Sequence, residues 1–227
     1  ASVHSSRIIM LRGNHDSETK ADDGVTALSV FDNTHLPSRG GWIRVITHGL
    51  VSHDDKRVYI PHYEDQATIL DWLRSAPDGY EVFGHFGFVG CLNSVGDKDF
   101  DISLCEFRNK TYLGHIHKHF TDWNGDNSIT VVGTPYTTNF GEEGQTCYYG
   151  IKDEGDTDFT FTEIRSGPRH LVINYKDLVA EFESYREMIN SSEKYTLLRI
   201  NLEKDDKVDD EILDSLKTVY MDFKFVP

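Results

Sequence analysis

The sequence has 227 residues, of which 38% are hydrophobic and 12% aromatic, so it can form a packed core and global disorder is excluded. Lys and Arg total 23 against 38 Asp and Glu, which gives a formal charge of −15. That charge excludes sequence-independent nucleic-acid binding through a basic surface, because such binding neutralises phosphates with cations. A phosphate substrate would therefore need metal ions, a local basic patch or a positively charged partner.

Hydropathy and cysteine spacing indicate the cellular setting. There is no apolar run of membrane-spanning length and no signal-peptide pattern, so we expect a soluble, cytoplasmic protein that does not contact membranes. Cys91, Cys105 and Cys147 are odd in number and have no C-x-x-C spacing. They are therefore predicted to be reduced thiols rather than disulfides or zinc ligands.

Short apolar runs alternate with polar, glycine-rich turns over the first two thirds of the chain. An amphipathic helix is predicted at 63–76, and a weaker helical pattern lies at 22–33. Alternating strands and helices indicate an α/β fold, in which sites collect beyond the carboxyl ends of strands. The predicted strands are 7–11, 42–47, 57–61, 80–84, 111–114 and 129–133, followed by a hairpin at 147–153 and 158–164.

The pattern changes near residue 166, which predicts a domain boundary. Residues 1–166 would form the main domain, and residues 167–227 would form a small accessory domain of βαβαβ type. Its strands are predicted at 170–175, 195–202 and 222–226, and its helices at 177–191 and 209–220.

Three short motifs follow predicted strands: Gly13-Asn14-His15-Asp16, Gly84-His85 and Gly114-His115-Ile116-His117. Amide oxygens and imidazole nitrogens suit divalent metals such as manganese, zinc or iron. Residues two apart on an extended chain point the same way, so His115 and His117 are predicted to face one pocket.

Each motif also has an ordinary structural explanation. The Asn and Asp of the first motif favour turns, a single Gly-His pair is more often structural, and the third motif could be a plain strand end. Their common position after buried strands favours a shared metal site. Four other histidines are predicted to be structural or exposed: His48, His53, His62 and His119.

The three motifs, in this order, resemble the calcineurin-like metallophosphoesterases. The "VYIPHYED" and "VVGTPYTTNFGEEG" segments and Asp16 narrow the resemblance to the nuclease subunit of SbcCD-type DNA repair complexes, including the phage recombination endonuclease subunits. The resemblance implies a metallophosphoesterase β-sandwich flanked by helices, with a C-terminal α+β capping domain. The family's first two motifs, D-x-H and G-D-x-x-D, are absent from residues 1–227. We therefore expect these residues alone to be inactive.

The resemblance also implies roles for individual residues. Asn14, His85 and His115 would bind one divalent cation, and His117 would bind a second. Both cations would be Mn²⁺ or Mg²⁺. His15 would be the catalytic histidine at the scissile phosphate, and Asp16 would hold the ligand loop in place.

The implied function is a two-metal-dependent DNA exo- and endonuclease in double-strand-break repair, recombination and replication. Its partners would be DNA, an SbcC-type SMC-like ATPase and a second copy of the nuclease subunit. The alternative is a phosphomonoesterase or nucleotide phosphodiesterase of the same superfamily. A scaffold without a working metal pair is a third, non-enzymatic possibility.

Overall fold

The computed structural model describes residues 7–36, 41–91 and 100–226. It is a mixed α/β protein with 21% helix and 36% strand, in agreement with the predicted fold class. No helix in these three ranges is long and apolar enough to span a membrane.

The chain divides into two compact units, Ala1–Gly133 and Thr134–Pro227. The boundary predicted near residue 166 falls inside the second unit, so the separate accessory domain at 167–227 stays a prediction.

The first unit contains two sheets. A three-stranded sheet has the order β1-β3-β2, and β1 is parallel to β3. A six-stranded sheet has the order β4-β5-β6-β7-β9-β8, with the four middle strands parallel and the two edge strands antiparallel. The strands are β1 (Arg7–Leu11), β2 (His35–Leu36), β3 (Gly41–Ile46), β4 (Leu50–Ser52), β5 (Arg57–Ile60), β6 (Glu81–His85), β7 (Thr111–Gly114), β8 (Phe120–Asn124) and β9 (Asn127–Val131).

The core of the first unit lies on the parallel strands of the six-stranded sheet. Their fully buried side chains are mostly β-branched, as expected for strands covered on both faces. Helix α1 (Gln66–Ser75) packs Ile69 and Leu73 into this core, and the Asp65 carboxylate caps it by accepting the Ala67 N–H at 3.0 Å. The helix predicted at 63–76 is confirmed.

The second unit begins with a hairpin and continues as a βαβαβ arrangement. The hairpin is antiparallel, and the three later strands form a parallel sheet in the order β12-β13-β14. Its core is separate from that of the first unit and centres on Leu178, Leu198 and Ile200. The elements are β10 (Tyr148–Ile151), β11 (Thr160–Glu163), β12 (Gly167–Asn174), α2 (Tyr175–Ala180), α3 (Phe182–Asn190), β13 (Lys194–Leu202), α4 (Asp210–Asp214) and β14 (Thr218–Phe225).

Three helix predictions need correction. The pattern at 22–33 forms only a five-residue 3-10 helix, Ala27–Phe31. The helix predicted at 177–191 is divided into α2 and α3 at Glu181. The helix predicted at 209–220 ends at Asp214, because the β-branched and aromatic residues from Thr218 onward pair with β13 instead.

Two valines of the first unit give a matched test of the core. Val58 in β5 is fully buried, whereas Val30 is 76% exposed. We expect Val58→Ala to lower the free energy of unfolding by about 2 kcal/mol, from two lost methyl groups and the cavity they leave. Val30→Ala should change it by less than about 0.5 kcal/mol. Urea unfolding of both variants measures the difference, and equal losses would contradict this core assignment.

Candidate functional site

The first motif forms a tight turn directly after β1. Asn14–Asp16 is a single 3-10 turn, and the Gly13 N–H donates to Oδ2 of Asp16 at 2.8 Å. The Ser17 hydroxyl donates to the Gly13 carbonyl. Asp16 therefore closes the loop that carries Asn14 and His15, which is the kind of contact predicted for it.

The turn after β1 contacts the end of β6 in the other sheet. Oδ1 of Asn14 lies 3.0 Å from Nε2 of His85. A Cβ on Gly13 would lie 2.8 Å from Cε1 and 2.9 Å from Nε2 of the His85 ring, closer than side chains tolerate. Gly13 is thus required by the close approach of His85, and the first two motifs meet as predicted.

His85 and His115 come together because β6 and β7 are parallel neighbours. His85 ends β6 and is paired in register with Gly114, the residue before His115. The two imidazole rings lie edge to face, with their centroids 5.4 Å apart. A Cβ on Gly114 would lie 3.0 Å from Nδ1 of His85, so the missing side chain at this glycine also leaves space for the ring.

The third motif is not extended. The prediction that His115 and His117 point the same way along an extended chain is therefore wrong. Strand β7 ends at Gly114, residues 115–118 form a bend, and His115 has φ +78°. A non-glycine residue in this left-handed region is strained, and such strain is concentrated at functional sites. The backbone at His117 passes close to Gly133, whose added Cβ would lie 2.8 Å from the His117 carbonyl oxygen.

Four other histidines influence the protonation of His85. Desolvation lowers the pKa of His85, and the positive charges that His115, His62, His15 and His117 can carry lower it further, to about 3. His85 is therefore neutral at physiological pH. A neutral imidazole keeps a nitrogen lone pair for a cation, as ligand chemistry requires.

The predicted catalytic residue lies at the surface of this cluster. His15 is exposed, although both of its chain neighbours are partly buried. It follows Asn14 in the same turn, and Oδ1 of Asn14 lies 3.0 Å from Nε2 of His85, so the turn brings His15 near the other motif residues.

His62 also belongs to this cluster, although the sequence did not predict it as a site residue. Its ring centroid lies 5.9 Å from that of His115 and 6.3 Å from that of His85. The side chain is only 15% exposed. Together with Asn14 and His115 it lines a cavity of about 200 Å³. The motif "PHYE" carries no glycine or second histidine, so only the tertiary contacts reveal this residue.

The donor chemistry fits a divalent cation, although the protein groups alone do not complete a metal site. Asn14 offers an amide oxygen, and His85 and His115 offer imidazole nitrogens, which suit manganese, iron or zinc. Within residues 7–36, 41–91 and 100–226, no three His, Cys, Asp or Glu side chains are arranged to hold a metal.

The chain matches no known protein-family model, and no curated protein is significantly similar to it.

Gly13 and Gly79 give a matched test of the close approach to His85. We expect Gly13→Ala to displace the His85 ring, separate it from Asn14 and cost about 1–3 kcal/mol through overpacking. A Cβ on Gly79 would have no described atom within 4 Å. Gly79→Ala therefore costs only the backbone strain that comes with its φ of +76°. NMR of the ¹⁵N-labelled imidazoles should show a shifted His85 signal in Gly13→Ala alone. A His85 signal unmoved by Gly13→Ala would show that the contact is absent in solution.

Proposed function

We propose that the protein is a metal-dependent DNA nuclease that hydrolyses phosphodiester bonds during double-strand-break repair and recombination. The observation that carries the proposal is the meeting of Asn14, His85 and His115, of which Asn14 and His115 also line one cavity. These residues come from three separate segments, and two of the segments belong to different sheets. Such convergence of amide and imidazole groups is hard to explain by packing alone.

The fold proposed for this activity is a metallophosphoesterase β-sandwich flanked by helices, followed by a capping domain. The two sheets of the first unit and their mixed strand directions support the first part. The parallel βαβαβ arrangement of β12–β14 supports the second.

Asn14, His85 and His115 would hold one divalent cation, and His117 would contribute to a second, with Mn²⁺ or Mg²⁺ as the metals. When bound, two such cations supply positive charge to the phosphodiester oxygens and lower the pKa of a water molecule. His85 is suited to its part because its pKa of about 3 leaves the ring neutral. Asp16 fixes the loop so that Asn14 faces His85.

His15 would act on the substrate itself. It is exposed at the edge of the cluster, on a turn that Asp16 closes through the Gly13 N–H. From there the imidazole can donate a proton to the leaving oxygen or hold the scissile phosphate in position.

The partners proposed are DNA, an SMC-like ATPase of SbcC type and a second copy of the nuclease subunit. The charge of −15 supports a need for partners in DNA binding, because a negatively charged chain is repelled by a polyanion. Bound cations and a partner's basic surface would supply the attraction that the chain lacks.

Histidine variants of the full-length chain test the proposal on linear duplex DNA with Mn²⁺. We expect His15→Ala to lower the cleavage rate at least ~100-fold, as loss of a general acid does. His117→Ala should lower it comparably through loss of a ligand. His35→Ala is the control, because His35 is exposed on β2 and lies outside the three motifs. Gel analysis of the DNA products gives the rates.

Two results would count against the nuclease. Wild-type rates in both His15→Ala and His117→Ala would contradict the site assignment. Hydrolysis of p-nitrophenyl phosphate without any cleavage of DNA would instead favour a phosphomonoesterase or nucleotide phosphodiesterase.

A further inference from the structure

His62 is fixed in place by its backbone rather than by its side chain. Its N–H donates to the Arg12 carbonyl at 2.9 Å, and the Arg12 guanidinium donates back to the His62 carbonyl. Arg12 is itself buried, with 1% exposure, and its N–H donates to the Ile46 carbonyl. These contacts join the end of β5 to the turn after β1, fifty residues away.

The imidazole of His62 is buried and has no hydrogen bond to the part of the chain that the structure describes. Among those residues neither Nδ1 nor Nε2 has a partner, although both atoms are shielded from solvent. The Glu64 carboxylate is 3.6 Å from Nε2, which is longer than a hydrogen bond. Buried polar atoms are normally paired, so an unpaired histidine in a cavity wall indicates a ligand that would complete it.

The cavity beside His62 offers several hydrogen-bond donors. Lys20 and Asn14 line it together with His62 and His115. Glu64 also lines it and opposes an anion, but Lys20 offsets that charge. Imidazole carries at least one N–H in either protonation state, so His62 can always act as a donor.

We propose that His62 contacts the substrate directly by donating a hydrogen bond to a phosphate oxygen, with Lys20 as a second contact in the same cavity. The inference rests on the proposed function and adds a substrate-binding residue to it. The ligand class is a phosphate group, either free or within a phosphodiester.

A phosphate explains the arrangement better than a further metal ligand does. Within the described residues, His62 is not part of any group of three His, Cys, Asp or Glu side chains that could hold a metal. His62 and Lys20 line the same cavity, so they can contact different oxygens of one phosphate while His85 and His115 hold the proposed cation. The cavity of about 200 Å³ leaves room for such a group.

The direct test is imidazole ¹⁵N NMR of the wild-type full-length chain while inorganic phosphate is added in EDTA. We expect the His62 signals to shift saturably and those of His53 to stay unchanged, because His53 is exposed and bonds to the Tyr80 hydroxyl. His62→Gln should raise the phosphate dissociation constant roughly tenfold or more, as loss of a hydrogen bond to a charged group does. Lys20→Gln should raise it as well, and His53→Gln should not.

Kinetics on duplex DNA with Mn²⁺ give a second measurement. We expect His62→Gln to raise KM and leave kcat nearly unchanged, because the contact is made equally in the ground and transition states. A merely structural histidine would instead lower thermal stability without this separation of KM from kcat.

The outcomes separate this inference from the proposed function. Unmoved His62 signals in phosphate would overturn it, as would a His62 signal that responds to Zn²⁺ and not to phosphate. If His62 responds to phosphate while the full-length chain cleaves no DNA, the phosphate site stands and the nuclease proposal fails. If DNA is cleaved but phosphate leaves His62 unmoved, only the role of His62 fails.

Discussion

The contact between Asn14 and His85 is the constraint on which the site depends. It joins a turn after β1 to the end of β6, and these strands lie in different sheets of the first unit. Only a glycine at position 13 lets the ring approach so closely. Asp16 closes the turn from behind, and Arg12 ties the same region to His62. The short stretch from Arg12 to Asp16 therefore holds contacts to both His85 and His62.

The electrostatics of the site differ from those of the chain as a whole. The protein carries −15 charges, yet His85 lies among four histidines and the Asn14 amide. Desolvation and the neighbouring histidines keep His85 neutral, so its ring adds no charge of its own. Such a cluster is suited to receiving cations, and their charge would then attract a polyanionic substrate that the rest of the surface repels.

The sequence predicted the ends of β1, β6 and β7 well, because the apolar run before each motif gives way to a glycine and polar residues. It also predicted that Gly84-His85 and Gly114-His115 would meet, since both end parallel strands. It failed at His62, because the contact with Arg12 is between residues fifty positions apart and leaves no local pattern. It predicted an extended backbone at residues 115–117, which is wrong, because the alternation of apolar and polar residues does not reveal the positive φ of His115. The helix predicted at 209–220 ends early, because pairing of the residues from Thr218 onward with β13 outweighs the local helical periodicity.

The central claim is that Asn14, His85 and His115 bind a divalent cation beside a second one at His117. Anomalous X-ray diffraction from crystals of the full-length chain soaked in Mn²⁺ tests it most directly. The account predicts two peaks, one contacting Asn14, His85 and His115 and the other contacting His117. An anomalous map without a peak at these side chains, in crystals that bind Mn²⁺ elsewhere, would contradict it.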